Sequence, residues 1–353
     1  MKRGVDKREL TEMVKDIPRC LGACAVGIAT KETLAGGPPS TDLTYVLPEA
    51  QSAICFAFPM DQSCIEPFLK KEDFRSFNLD NIRVNILASG TAFEISNFLN
   101  QLGYPSVPQA ANLFYRTDTP NGRLDELPPI AHRYLAVRSG IGHFGLSGNV
   151  IRKEEGAAII FGSVVTAAEL IPTEPLPEEE NYCDSCRLCM AACASGFMDP
   201  DVKTTVTLGG VDFSYAKRRH HNRCDYVCGG FTGLHSSGKW STWSPGRFPI
   251  PEKDEDFLPA IIKALKPYLR RPANDRMMYN VLVPGYKIEL TCCHCQLICH
   301  PDKEVRKRRY KMITGSGVVV QDEKGVRTAV SPEEAEKRLA TMGPETRALF
   351  EEV

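Results

Sequence analysis

Four cysteines in one short run, Cys183-Asp-Ser-Cys186-Arg-Leu-Cys189-Met-Ala-Ala-Cys193, constrain this chain more than any other stretch. The spacing is C-x2-C-x2-C-x3-C. Three thiolates so spaced can wrap one 4Fe-4S cube from a single loop, while the fourth Cys points onward to a second cube. Far downstream, Cys292-Cys293-His294-Cys295-Gln-Leu-Ile-Cys299 supplies C-x2-C-x3-C and completes the ligand count for two clusters. Zinc ribbons also use C-x2-C pairs. They need only two Cys from each half and would leave Cys189 and Cys193, or their partners, without a role, so iron and sulfide are expected.

By the ferredoxin crossover, the first cluster takes Cys183, Cys186, Cys189 and the distant Cys299. The second takes Cys193, Cys292, Cys295 and one further Cys, for which Cys224, Cys228 and Cys293 compete. An adjacent Cys293 is expected to point away from the Cys292 to Cys295 loop, which favours a ligand from the long insertion over 199–290. Ala194 and His300 stand where bacterial ferredoxins often have Pro, a loss of turn chemistry and not of a ligand.

At 353 residues and 42% hydrophobic, the chain can bury a sizeable core. Its formal net charge of -1 gives no overall field to recruit nucleic acid or an anionic membrane. Fourteen Cys, most of them gathered at metal-ligand spacings rather than scattered as in a small secreted scaffold, fit a reducing compartment. The charged start from Met1 to Leu10 lacks the apolar core of an export signal, and no stretch supplies the ~20 apolar residues of a membrane span. A cytoplasmic location without membrane attachment is the expectation.

Leu10 to Ile17 reads as a helix stopped by Pro18, and the apolar runs Ala23 to Ala29, Gln51 to Phe58 and Ala157 to Thr166 as buried strands. Asp80 or Asn81 is placed to cap a long helix ending near Leu102. A helix is expected to begin at Pro128-Pro129 and run to Arg138. It leads into Ser139-Gly-Ile-Gly-His-Phe-Gly-Leu-Ser-Gly-Asn149. Gly140, Gly142 and Gly145 match G-x-G-x-x-G, but that fingerprint must follow a strand and open a helix, the reverse of the order here. Close approach to another flat ligand is the better use of these glycines. Cys20, Cys24, Cys55 and Cys64 read as buried small hydrophobes. The basic run Lys303 to Lys311 reads as a solvated face, followed by a hairpin around Asp322 to Gly325 and a helix opened by the capping box Ser331/Glu334.

Three blocks resemble the epoxyqueuosine reductases and their relatives, the cobalamin-dependent reductive dehalogenases. They are Ala25 to Ala29, Tyr134 to Asn149 followed by Phe161-Gly-Ser-Val-Val-Thr166, and Cys292 to Cys299. The resemblance covers roughly residues 20–302. It implies an α+β protein in which a nitroreductase-like corrinoid-binding α/β domain (1–172) precedes a bacterial-ferredoxin-like two-cluster domain (173–310, insertion 199–290), with a C-terminal hairpin and helix (311–353).

The same resemblance assigns Cys224 to the isolated second-cluster position, leaving Cys228 and Cys293 as extras. It implies two 4Fe-4S clusters feeding cobalamin, with Arg138, Gly140, Gly142, His143, Gly145, Ser147 and Gly148 against the corrin. By position Glu126 falls on the family's proton donor, and Tyr115 and Tyr134 are donors of the dehalogenase kind. His235, in a loop that has Gly233 where a corrinoid His motif needs Asp, is not expected to bind cobalt. The implied activity is an oxygen-sensitive reductase acting on a small organic molecule or a modified nucleoside, fed by an external donor such as ferredoxin or flavodoxin. The rival is an electron-transfer or corrinoid-reducing activator without an organic substrate. Nucleic acid is not expected as a partner.

Overall fold

Ser52–Pro59 is buried from Ser52 to Phe58, as a strand covered on both faces must be. It lies inside a four-stranded antiparallel sheet. The computed structural model describes residues 5–111, 114–272 and 289–352, so the end of the insertion at 273–288 lies outside the described residues.

In chain order the first elements are helix α1 (Lys7–Cys20), strands β1 (Ala25–Thr30) and β2 (Ser52–Pro59), helices α2 (Ile65–Leu69) and α3 (Arg75–Gln101), and strand β3 (Ser106–Gln109). Helix α4 (His132–Arg138) is followed by β4 (His143–Phe144), β5 (Val150–Ile151), β6 (Ile159–Thr166), α5 (Leu188–Ala191), β7 (Met198–Leu208) and β8 (Val211–Arg218). The remainder comprises α6 (Asn222–Cys228), α7 (Phe257–Arg270), α8 (His294–Leu297), α9 (Lys303–Gly315), β9 (Val318–Gln321), β10 (Arg327–Val330), α10 (Pro332–Ala340) and α11 (Pro344–Arg347).

Two units share the chain. The first takes the chain up to Met60, Arg83–Ser185 and Lys203–Tyr215; the second takes Asp61–Ile82, Cys186–Val202 and everything from Ala216 on. The expected divisions at 172 and 310 were contiguous, whereas these units interleave. Residues 61–82 join the second unit, the tip of the β7–β8 hairpin joins the first, and the C-terminal hairpin and helix are part of the second.

In the first unit the sheet order is β1-β2-β6-β3, all antiparallel. Ala53, Cys55 and Ala57 of β2 join one core with Leu135, Ala136 and Val137 of α4. Small residues on that face let the helix come close. On β6, a Cβ at Gly162 would meet the Ala88 carbonyl at 2.7 Å and the Phe56 ring at 2.6 Å, so glycine there sets the approach of α3. Each fully buried large side chain, Ile54 and Phe56 among them, contributes about 1.5–3 kcal/mol.

Local signals differ in detail from expectation. Helix α1 runs through Pro18 to Cys20. Helix α3 begins at Arg75, where the Asp73 carboxylate accepts from the Ser76 N–H, while Asp80 lies inside the helix and accepts from the Asp61 N–H. Helix α4 begins only at His132, because the two prolines and Ile130 precede the first helical turn. Of the four N-terminal cysteines Cys55 is buried, Cys24 and Cys64 are half-buried, and Cys20 is exposed.

The second unit explains the tryptophans of the insertion. Trp243 donates its indole N–H to the Phe68 carbonyl at 2.9 Å and packs against Phe68 and Phe74. Tyr226, Phe231, Phe248, Phe257 and Tyr268 form an adjoining core. The hairpin β9–β10 and helix α10 form as expected, with the Ser331 hydroxyl accepting from the Glu334 N–H.

Candidate functional site

Helix α6 places Cys224 and Cys228 one turn apart, on the same face. Its carbonyl end is stitched to the downstream cysteines. Thr291 donates its N–H to the Cys228 carbonyl at 2.8 Å and its hydroxyl to Val227 O at 3.0 Å. At the other end, buried Arg223 reaches the Ser195 carbonyl at 3.4 Å and pairs with Asp254, which ties the helix to the loop after Cys193.

These ties gather six thiols in the second unit. Hydrogen bonds to Cys224, Cys292 and Cys293, with burial added, hold the Cys228 thiol well above its ordinary range. Cys292 is held well below, first by its hydrogen bond with Cys228 and also by buried His294. Burial pushes Cys295 up, as do Cys193, Cys224 and Cys292 beside it. Burial likewise raises Cys193, which feels Cys224 and Cys292, while the Ser195 hydroxyl and the Phe197 N–H lie 3.4 and 3.5 Å from its sulfur. Cys293 is not turned away as its place in sequence suggested. Its backbone is left-handed, φ 76°, and its thiol meets Cys228.

A cation also lies here. Lys71 is buried, bonds the Ser316 hydroxyl at 3.3 Å, and is lowered to about 8 by burial, with the neighbouring Cys292 acting in the opposite direction. Among the described residues no three His, Cys, Asp or Glu side chains converge as they would on one metal ion. A cube asks for something else, one thiolate per iron, with the sulfurs spread around the cluster.

Cys186, Cys189 and Cys299 belong to the second unit, and Cys183 to the first. Helices α5 and α8, which follow Cys186 and precede Cys299, pack together. The basic run of α9 is a solvated face at Lys303, Lys307, Arg308 and Lys311, as expected, but Arg306 and Arg309 are turned inward. Arg306 donates to the His300 and Pro301 carbonyls, and Arg309 to the Leu297 carbonyl at 2.7 Å, so both buried guanidinium groups brace the loop that carries Cys299. Arg308 pairs with Glu66.

In the first unit the glycine block forms the β4–β5 hairpin. A Cβ at Gly140 would lie 2.3 Å from the Glu174 carbonyl oxygen, and one at Gly142 would lie 2.5 Å from that of Ile151. These two glycines therefore make close approach to the chain itself. Gly145 and Gly148 build the turn, closed by Gly148 N–H to Gly145 O at 2.8 Å, and the Ser147 hydroxyl accepts from Asn149 N–H.

What the block leaves open is polar. Among the described residues, buried Arg138 has Nε and Nη1 without a hydrogen-bond partner and a 3.9 Å ion pair to Glu174. His143 Nε2 has none among the described residues either, and burial lowers its proton affinity against the opposing pull of Glu178. Buried polar atoms normally find partners.

Tyr134 is buried and shares its hydroxyl with that of Tyr215 at 2.8 Å, while Arg133 donates to both at 3.0 and 3.1 Å. Tyr215 was not legible as part of this trio, because it arrives from β8, far along the chain. Tyr115 is half-buried. Glu126, half-buried, follows a short 3-10 turn over Gly122–Asp125 in a left-handed conformation, φ 49°, six residues ahead of α4.

No family model matches the chain. The epoxyqueuosine reductase of Gloeobacter violaceus is 24% identical over 212 residues, 54% of this chain and 61% of that protein. The chain thus spans less than two thirds of the curated relatives it matches. Among solved structures, a catabolic reductive dehalogenase in complex with 3-bromo-4-hydroxybenzoic acid shares the mixed α/β fold over 88% of this chain and 35% of its own, with a TM-score of 0.50 at 12% identity. An epoxyqueuosine reductase with a tRNA-Tyr epoxyqueuosine-modified stem loop is matched over 95% of this chain and 73% of its own, at 16% identity and a TM-score of 0.43. Among these, the curated relatives support the family that the sequence resembles, and their name indicates an oxidoreductase. The expectation that nucleic acid is no partner is corrected by the last of the solved structures, which was solved with RNA. Among the described residues no helix is long and apolar enough to cross a membrane.

Proposed function

We propose that this chain, similar to the epoxyqueuosine reductases and reductive dehalogenases, is an iron-sulfur reductase that delivers electrons through two 4Fe-4S clusters to a corrinoid and then to an organic substrate. The observation that carries the reading is the gathering of Cys193, Cys224, Cys292 and Cys295 around one place in the second unit. They are the second-cluster set, and Cys183, Cys186, Cys189 and Cys299 are the first-cluster set by spacing. Crowded thiols raise one another's proton affinity, and iron relieves that crowding by taking each as thiolate. Lys71 offsets part of the resulting negative charge.

Bound cobalamin supplies a strongly reducing, nucleophilic metal centre. Toward it the chain offers Arg138 and His143, whose unfilled donors suit amide or phosphate oxygens on a corrinoid, in the block that also contains Gly140, Gly142, Gly145, Ser147 and Gly148. Glu126 is the proposed proton donor. Its left-handed backbone, which a non-glycine residue adopts at a cost, supports a positional role. Tyr134 has its hydroxyl engaged by Tyr215 and Arg133, which suits positioning; Tyr115 is the second candidate donor. The substrate class we carry from the relatives' names is a modified nucleoside presented on RNA.

Anaerobic purification followed by iron, sulfide and cobalt analysis and electron paramagnetic resonance, with and without added cobalamin, tests the reading. Two cubes and a base-off Co(II) signal are expected. Zinc in place of iron overturns it, and iron without corrinoid affinity turns it into the electron-transfer reading. Substrate-dependent reoxidation of the reduced clusters, with modified RNA as probe, tests the substrate class.

A further inference from the structure

The part of α3 that belongs to the first unit is apolar on two sides. Val84, Ala88, Ala92, Ile95 and Leu99 are fully buried on its inner side, where the Ala88 carbonyl lies against Gly162 of β6. A helix with one side on a core normally turns polar residues to water on the other. Here the outer side carries Ile86 at 43% exposure and Phe93 at 54%, two turns apart, with half-buried Leu87 and Phe98 beside them. Gly90 lies between Ile86 and Phe93, in the interior of the helix. Glycine weakens a helix interior relative to alanine. It is kept where a positive φ or a close neighbour requires it, and neither holds at this position. The backbone at Gly90 is helical, and among the described residues an added Cβ would meet nothing within 4 Å. The close approach that Gly90 permits therefore comes from outside the chain.

We propose that this outer face of α3 is an interface with a second copy of the chain, the two helices crossing antiparallel with Gly90 at the two-fold axis. The inference is independent of the clusters and the corrinoid. A two-fold interface must be complementary to itself, and the charges around Gly90 meet that demand. Exposed Arg83 lies about two turns before Gly90 and exposed Glu94 about one turn after it. An antiparallel pair sets Arg83 beside the turn that carries the partner's Glu94 and sets Leu87 against the partner's Phe93. A parallel pair would set Arg83 and Glu94 each against its own like charge, so the pattern selects the antiparallel one. Glycine at the crossing lets the two backbones come close, since interaxial distance follows the side chains at the contact. A polyanion such as RNA is the poorer occupant, because the face is apolar at its centre and carries an anion with its cation.

The test is sedimentation velocity of the anaerobically purified full chain over a wide range of concentrations, with urea unfolding measured where each sample is monomeric. The native chain is expected to reach a dimer. Phe93→Glu and Gly90→Leu should each raise the dimer dissociation constant by about tenfold or more. Gly90→Leu should do so at an equal or higher urea midpoint, because the new side chain has room within its own copy. Arg83→Glu and Glu94→Arg should each weaken the dimer, and the two changes together in one chain should restore it, which a role confined to the folded monomer would not do. A native chain that stays monomeric at every concentration overturns the proposal, whether or not RNA or another protein binds this face. So does a dimer that Gly90→Leu and Phe93→Glu leave unmoved, since its interface lies elsewhere, or a double charge variant that dimerises no better than the single ones.

Discussion

The backbone N–H of Leu146 donates to the sulfur of Cys183 across 3.2 Å. Leu146 is the second residue of the turn Gly145 to Gly148 in the glycine block, and Cys183 opens the cysteine run, so one hydrogen bond links the two most distinctive stretches of the sequence. Pro is well accepted at that turn position and has no N–H. Leu146→Pro should therefore keep the turn and remove the donor. The expected result is unchanged iron content with a lower midpoint potential for the cluster that takes Cys183, read by redox titration; an unmoved potential would detach Cys183 from that role.

Glu126 sits in a strained left-handed position just after a 3-10 turn, with the helix starting six residues later. It therefore lies outside the first turn of α4. Glu126→Gln keeps shape and removes the transferable proton. Turnover should fall by about 10²–10⁴-fold with iron and corrinoid content intact. Turnover equal to the native rate would take Glu126 out of the chemistry.

The sheet was legible because β2 and β6 are continuous apolar runs, and helix α10 because Ser331 and Glu334 form a local capping pair. What sequence could not disclose depends on distant partners. Residues 61–82 lie between two elements of the first unit yet fold into the second, through contacts such as Trp243 with the Phe68 carbonyl. Gly140 and Gly142 are glycines for the sake of Glu174 and Ile151. The run Lys303 to Lys311 carries the same charge whether it faces water or holds carbonyls, and nothing in its composition says that Leu297 and His300 lack donors.

That last point gives a paired prediction on neighbouring residues. Arg309 is buried and donates to the Leu297 carbonyl at 2.7 Å and to Gln62 at 3.0 Å, whereas Arg308 forms an exposed pair with Glu66. Hydrogen bonds from a charged group contribute about 1.5–3 kcal/mol, and exposed ion pairs about 0–1 kcal/mol. Arg309→Met should lower stability in urea by the larger amount and loosen iron at Cys299, while Arg308→Met should do little. Equal effects would mean that α9 acts only as a charged surface.

His132 supplies a pH dependence whose sign can be worked out. It opens α4, its Nε2 lies 3.1 Å from the Ala110 carbonyl, its Nδ1 has no hydrogen-bond partner among the described residues, and burial lowers its proton affinity against the opposing pull of that carbonyl. The unfolded chain takes up the proton near pH ~6.5, the folded chain only at lower pH. Over that window unfolding binds a proton, so stability is full above about 6.5 and declines as the pH falls toward the folded value. His143, His235 and His300 are shifted the same way, so the native slope is a sum. The difference between native chain and His132→Gln isolates one contribution. Gln keeps a donor for Ala110 but does not titrate, so urea midpoints measured from pH 8 to 5 should fall less steeply in the variant; parallel curves would mean that His132 stays neutral in both states or charged in both.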